Sequence, residues 1–360
     1  MAFATLSDAL PAVALSVGAG ALAASIVFLV GTAASRIRLL LRLDRRADIL
    51  RLWTPMLAEC TERMPASLPA FDRQDAEPFL VLWCKTQESL RGETQDRLRQ
   101  LARRLGLAPV AVKMLSSWSQ RRKLLAIVSL GHLRERAALR SLLRLVSKAP
   151  AVVSMTAAQA VVRIDPDVGV PLALAMSAAR RDWAIAKAVS MLMECDAART
   201  EPLLAAAIRA ELHGERKDSP PGGALARLVR MHVVADGQEV RAAVLEVLAE
   251  AHDSEPLAAA VAALSRPDEA PDARRLLAHA DWQVRAAAAR ALRRIGGSED
   301  FARLCAALSD PSWWVRYRAA QALCALPGID AADLRALPAR LTDAFAADIL
   351  RQALAEQAAA

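Results

Sequence analysis

The sequence predicts an all-α protein: a solenoid of repeated helical hairpins, preceded by one apolar helix of membrane-spanning length. Three observations carry this. The stretches "DWQVRAAAARALRRIGG" (281–297) and "DPSWWVRYRAAQALCALPG" (310–328) write nearly the same helix twice. Val284-Arg285 aligns with Val315-Arg316 at an offset of 31 residues, and Ala288, Ala291 and Leu292 fall on Ala319, Ala322 and Leu323. A fixed period of about 30 residues marks a helical repeat array. Second, hydrophobic residues make up 54% of the chain but aromatics only 4%, and alanine, leucine and arginine, all good helix formers, dominate. No alternating strand pattern interrupts them. Third, no charge occurs from Ala9 to Ser35. As a helix that run would reach ~40 Å, more than a hydrocarbon core of ~30 Å.

Taken in order, residues 1–8 form an external N-terminus and 9–35 a transmembrane anchor. A cleaved signal would carry positive charge before the apolar run, but only Asp8 precedes it. The basic residues follow instead, at Arg36, Arg38, Arg42, Arg45 and Arg46. By the positive-inside rule this makes a single-pass protein of the inner membrane, N-terminus out, with the rest in the cytoplasm. Residues 36–78 comprise a basic juxtamembrane helix, "RIRLLLRLDRRADILRLW", and a proline-bearing linker. An N-terminal helical cap (79–117) leads into the solenoid (118–360). Two stretches interrupt the array, "HGERKDSPPGG" near 213–223 and "SRPDEAPD" near 265–272, and such insertions often carry binding.

Followed backwards, the repeat aligns Val240-Arg241 of "EVRAAVLEVLAEA" with the 284 and 315 units. "DWAIAKAVSMLMEC" then puts Trp183 and Ile185 where Trp282 and Val284 stand. "VVSMTAAQAVVRI" and "RRKLLAIVSLGHL" fit the spacing more loosely. Between about 223 and 280 the pattern leaves helix pairing open.

These units resemble the HEAT-repeat family, in the short form also seen in bilin-lyase-like proteins and here in a membrane-anchored bacterial setting. The resemblance implies an armadillo-type fold, a right-handed α–α superhelix. In that family an aspartate six positions before the arginine helps tie neighbouring units together. Asp310 stands six before Arg316, whereas His279 and Ala235 occupy that place before Arg285 and Arg241. Asp310, Arg316, Arg285 and Arg241 are therefore the candidate inter-repeat ties.

Little points to catalysis. The five cysteines form no CxxC pair, which argues against a zinc knuckle or a disulfide framework. None of the five histidines sits in HExxH or directly precedes a glutamate. His-Glu pairs are the ligands of the di-iron HEAT-repeat hydroxylases, which resemble this fold. No glycine-rich phosphate loop or GxSxG elbow occurs either. No catalytic, metal or cofactor residue is assigned, no cofactor is expected, and the chain reads as a non-enzyme.

What remains is surface. Between Arg97 and Ile164 fourteen basic residues accompany a single acid, Glu135. Within that run Arg121, Arg122, Lys123, Arg136, Arg140, Arg144 and Lys148 read as a basic docking surface for anionic lipid. Trp183, Trp282 and Trp313 each precede an apolar core position by two residues, so each points about 200° from it. They form either a ridge of aromatic anchors for a partner or plugs against the preceding unit's loop, with Trp314 expected to be the most buried neighbour. Two functions compete. One is a membrane-tethered protein-interaction scaffold for a partner the sequence does not identify, serving, from resemblance in layout, a membrane enzyme complex such as a glycosyltransferase system. The other is a nucleic-acid binder using the basic 97–164 region, which the anchor disfavours.

Overall fold

The computed structural model describes residues 28–33, 36–37, 44–45, 47–65, 67–214 and 223–359, and every regular element among them is helical. Most of the charge-free run 9–35, together with Arg38, Arg42, Arg46 and most of the 213–223 insertion, lies outside the described residues. Among those described, no helix is long and apolar enough to cross a membrane. The chain divides into two compact units, Met1–Leu133 and Arg134–Ala360.

In the first unit, helix α1 (47–62) is followed by α2 (Ala76–Ser89), α3 (Glu93–Arg104), α4 (Leu107–Met114) and α5 (Gln120–Leu133). Ile49, Trp53, Leu57 and Cys60 recur at helical spacing and are buried. The second half of the expected juxtamembrane helix is thus a core helix, because one full stripe of it is apolar. Trp53, Phe71 and Phe79 meet edge to face, with ring centroids 4.8 to 5.8 Å apart. The Trp83 indole N–H donates to the Leu98 carbonyl at 2.9 Å. Ala126 and Leu133 of α5 join this same core. The division between the two compact units therefore falls after α5, which carries "RRKLLAIVSLGHL".

The second unit opens with α6 (Leu139–Lys148), α7 (Ala151–Ile164), α8 (Pro166–Ala179), α9 (Ile185–Leu192) and α10 (Ala197–Leu212). It continues with α11 (Gly223–Val229), α12 (Gln238–Glu250), α13 (Ser254–Ala263), α14 (Ala270–Leu276) and α15 (Trp282–Ile295). The last helices are α16 (Phe301–Ala307), α17 (Trp313–Ala325), α18 (Ala331–Ala336) and α19 (Ala344–Ala359). Helices α11, α13, α15, α17 and α19 pack one on the next, while α12, α14 and α16 pack across onto α13, α15 and α17. Helices α15, α17 and α19 begin 31 residues apart, at Trp282, Trp313 and Ala344. Val284, Ala288, Ala291 and Leu292 are fully buried, and so are Val315, Ala319, Ala322 and Leu323. Alanines in these seams let neighbouring helices approach closely. Helix α12 packs on α10 and α13, which settles the open pairing and corrects one alignment: Val240-Arg241 belongs to the other row from Val284 and Val315.

Successive hairpins are tied by arginine–carboxylate pairs. Arg163 meets Glu194 at 2.6 Å, Arg209 meets Glu246 at 2.9 Å and Arg241 meets Glu269 at 3.2 Å. Arg274 meets Asp300 at 2.5 Å, and Arg285 meets Asp310 at 2.7 Å. Asp310 thus reaches back to the preceding unit's arginine, and Arg316 holds its guanidinium 5.8 Å above the Phe345 ring of α19. Arg285 also donates to the carbonyl of His279, so a backbone oxygen serves at the position six residues before this arginine. The stretch near 265–272 is no free loop either. Glu269 is buried, accepts from the Ser265 and Arg266 N–H groups, and pairs with Arg241.

Candidate functional site

Helix α15 has two useful faces. Val284, Ala288, Ala291, Leu292 and Ile295 face the core. Gln283, Ala286, Ala287 and Arg290 recur at i, i+3, i+4 and i+7 on another side, and so share one stripe. That stripe lines an open groove of about 420 Å³ with Ala258, Ala259 and Ala262 of α13 and with Trp314 and Arg318 of α17. Trp282 and Arg230 complete the lining. The floor is alanine; the walls are tryptophan and arginine.

The groove is open and electropositive. Trp282 is 41% exposed and Trp314 50% exposed, a substantial loss of cover for the largest apolar side chain. Trp313 lies beside the groove, stacked on Tyr317 at 5.1 Å and edge-on to Trp314 at 4.9 Å. Arg230 pairs with Glu255 at 3.1 Å. Arg318 donates to the Gln321 side-chain oxygen and lies 5.8 Å above the Tyr317 ring. No carboxylate of the described residues pairs with Arg290. Burial first, and then the repulsion of Arg290, lowers the Arg294 guanidinium below its usual range, so the charge of Arg290 is felt within the helix.

The expected aromatic ridge is only partly present. Trp282 lines the groove and Trp313 flanks it, but Trp183 is 1% exposed, and Trp314, expected to be the most buried, is the most exposed of the three C-terminal tryptophans. The reason is helix phase. Trp282 and Trp313 are the first residues of their helices, whereas Trp183 stands two residues before α9, in a turn. The Arg180–Asp182 ion pair (2.6 Å) holds that turn, and the Trp183 carbonyl accepts from Arg227 at 2.6 Å.

The basic docking residues divide between the units. Arg121, Arg122 and Lys123 begin α5 in the first, and Arg122 pairs with Glu77 at 2.9 Å. Arg140, Arg144 and Lys148 are exposed on α6 in the second, above buried Leu142 and Val146. Arg136 sits on the 3-10 turn preceding α6, 3.8 Å from Asp165. Much of the remaining basic run is engaged within the fold. Arg97 donates to the carbonyls of Cys60 and Thr61, Arg103 to that of Leu133, and Arg99 pairs with Asp96. These contacts fix the side chains within the fold, and the Glu93 and Asp96 carboxylates offset the charges of Arg97 and Arg99. Arg45, read as a membrane-flanking residue, pairs with Asp75 at 2.6 Å and Asp72 at 3.3 Å; Arg36 is exposed on a helical stretch.

Among the described residues no group of three or more histidine, cysteine or acidic side chains is placed to hold a metal ion. Burial pushes the thiols of Cys60, Cys195 and Cys305 up, and that of Cys324 to about 11, which leaves them protonated and weakly nucleophilic at neutral pH.

Sequence reasoning missed Arg230, Arg290, Trp314 and Arg318 as one site, since they come from three separate stretches of chain: the end of α11, α15 and α17. The available signal was the second stripe of α15, where an arginine and small residues alternate with a core face. Fold and groove together define a stack of helical hairpins with an exposed face of arginine and tryptophan side chains. Residues 270–359, which span α14 to α19, match the family model of HEAT repeats, units that in general serve as protein-interaction scaffolds. No curated protein matches the chain.

Proposed function

We propose that the protein is a membrane-tethered interaction scaffold whose α13–α15–α17 groove receives an acidic segment of a partner protein. The observation that carries this is the groove itself: three arginines and two half-exposed tryptophans around an alanine floor. It lies in a part of the chain where acids slightly outnumber bases from residue 149 onward. Tryptophan and arginine are the residue types that dominate binding hot spots. Arginine forks pair with carboxylates through two parallel hydrogen bonds, and the alanine floor lets a partner's backbone come close. The scaffold needs no catalytic step and no cofactor.

Support for the tether comes from the charge-free run 9–35 and the arginines after it, which orient the scaffold to the cytoplasmic side of the inner membrane. A membrane-bound enzyme, such as a glycosyltransferase, is the class of partner such a tether brings within reach. A reporter fused to the C-terminus is expected to behave as cytoplasmic, and the full chain is expected to resist carbonate extraction. Recovery of the protein in a soluble periplasmic fraction contradicts this topology.

The groove is tested by combining Trp282→Ala with Arg290→Glu in the full chain. The Trp282 ring is half in water and Arg290 is exposed, so the melting midpoint is expected to fall by about 5 °C at most, with the fold retained. Partner recovery from detergent-solubilised membranes is expected to be lost. A partner retained at wild-type yield places the binding face elsewhere.

A further inference from the structure

The loop between α4 and α5, Leu115 to Ser119, lies outside the groove and carries the most exposed large apolar side chain of the described residues. Trp118 is 103% exposed, so its indole touches no other part of the fold. The contrast with the other tryptophans of this unit is sharp: Trp53 and Trp83 are among the most deeply buried side chains. Val112, on the last turns of α4, adds a second exposed apolar group.

Along this stretch of chain the charge has one sign. No acid occurs between Arg97 and Arg134. Arg122 is engaged by Glu77, while Lys113 and Arg121 are exposed and Lys123 half-buried, with no carboxylate partner among the described residues. The loop's own polar groups are partly satisfied from within. Ser116 donates to the Lys113 carbonyl at 2.9 Å, and the Ser119 N–H donates to the Ser117 hydroxyl at 3.3 Å. A loop that supplies some of its own hydrogen bonds loses less on leaving water.

We propose that this loop is a second membrane contact, with the Trp118 indole seated at the headgroup level of an anionic bilayer and Lys113, Arg121 and Lys123 meeting lipid phosphates. The proposal rests on the membrane reading above for bringing a bilayer near. Tryptophan is enriched at that level because one end of its ring is apolar and the other donates a hydrogen bond. Cations beside it gain from the negative surface potential of the leaflet. A short loop with a single projecting ring fits a soft, shallow surface, whereas a protein partner would need a pocket shaped to receive it.

The test uses the full-length protein in bilayers of phosphatidylcholine with brominated acyl chains, with and without phosphatidylglycerol. Subtracting the emission of Trp118→Phe from that of the wild type isolates Trp118. In anionic bilayers this difference emission is expected to be blue-shifted and quenched by bromine. The combined Arg121→Glu and Lys123→Glu variant is expected to lose both effects. Emission that stays water-like and unquenched in anionic bilayers overturns the proposal. So does a blue shift that appears without lipid and grows with protein concentration, which would assign the tip to a second copy. Flotation of the wild type with phosphatidylcholine alone reads the tether separately. A chain that floats while Trp118 stays unquenched loses this contact and keeps its anchor.

Discussion

Replacing Asp300 by alanine is expected to destabilise the second unit by about 3–5 kcal/mol, the cost of removing one partner from a buried ion pair. Asp300 is 0% exposed. It accepts from Arg274 Nε at 2.5 Å, from Arg274 Nη2 at 3.1 Å and from the Gly297 N–H at 3.0 Å. Without it Arg274 keeps Glu299 at 2.6 Å, but that carboxylate is mostly exposed, and exposed pairs are worth about 1 kcal/mol or less. The pH dependence follows from the same contacts. Burial alone pushes the carboxyls of Asp300 and Asp310 up, yet hydrogen bonds from Arg274 and Arg285 and from backbone N–H groups outweigh it, and both lie below the ordinary range. Their stabilisation is therefore complete above the unfolded value of about 4 and is lost as pH falls through the lowered folded values. Urea melts of Asp300→Asn are expected to show a lower midpoint at neutral pH and a shallower loss on acidification than the wild type. Parallel acid limbs in the two proteins would show that this carboxylate is not a tie.

Trp183→Ala is expected to cost a further large amount, about 3–5 kcal/mol, because it leaves a large cavity behind the α8–α9 turn. Trp282→Ala, with its ring half in water, is expected to cost well under half of that. The indole nitrogen of Trp183 is buried with no hydrogen-bond partner among the described residues. Trp183→Phe therefore keeps most of the packing and removes an unsatisfied donor, and its cost is expected to be far smaller than that of the alanine variant. Equal losses for the phenylalanine and alanine variants at 183 would indicate that the indole nitrogen is essential there.

The repeat was legible because α15 and α17 bury the same small residues, Ala288 with Ala291 and Ala319 with Ala322, and close packing tolerates few substitutes there. Helix α12 misled the alignment for a physical reason. Its buried Val240, Ala243, Val244, Val247 and Leu248 follow the spacing of any one-sided helix, and that spacing carries no information about the row. The arginine ties were hidden for another reason. Their carboxylates lie 25 residues downstream for Arg285, 26 for Arg274, 31 for Arg163 and 37 for Arg209, so no fixed interval exposes them. Trp183 was misjudged because an apolar alignment matches residue types and ignores where a helix begins. The groove was illegible for the plainest reason: Arg230 follows α11, Arg290 is on α15 and Arg318 on α17, and they line one groove only when α11, α13, α15 and α17 stack.

Site-specific photo-crosslinking tests the central claim, that the α13–α15–α17 groove is the partner-binding face, most directly. A photo-crosslinking residue at Gln283, exposed in the groove, is compared in membranes with one at Ser147, exposed on the basic helix α6. The expected result is a discrete protein adduct from position 283 that disappears with Arg290→Glu, and none from position 147. An adduct from 147 with none from 283 would contradict the claim and assign the interaction to the basic face.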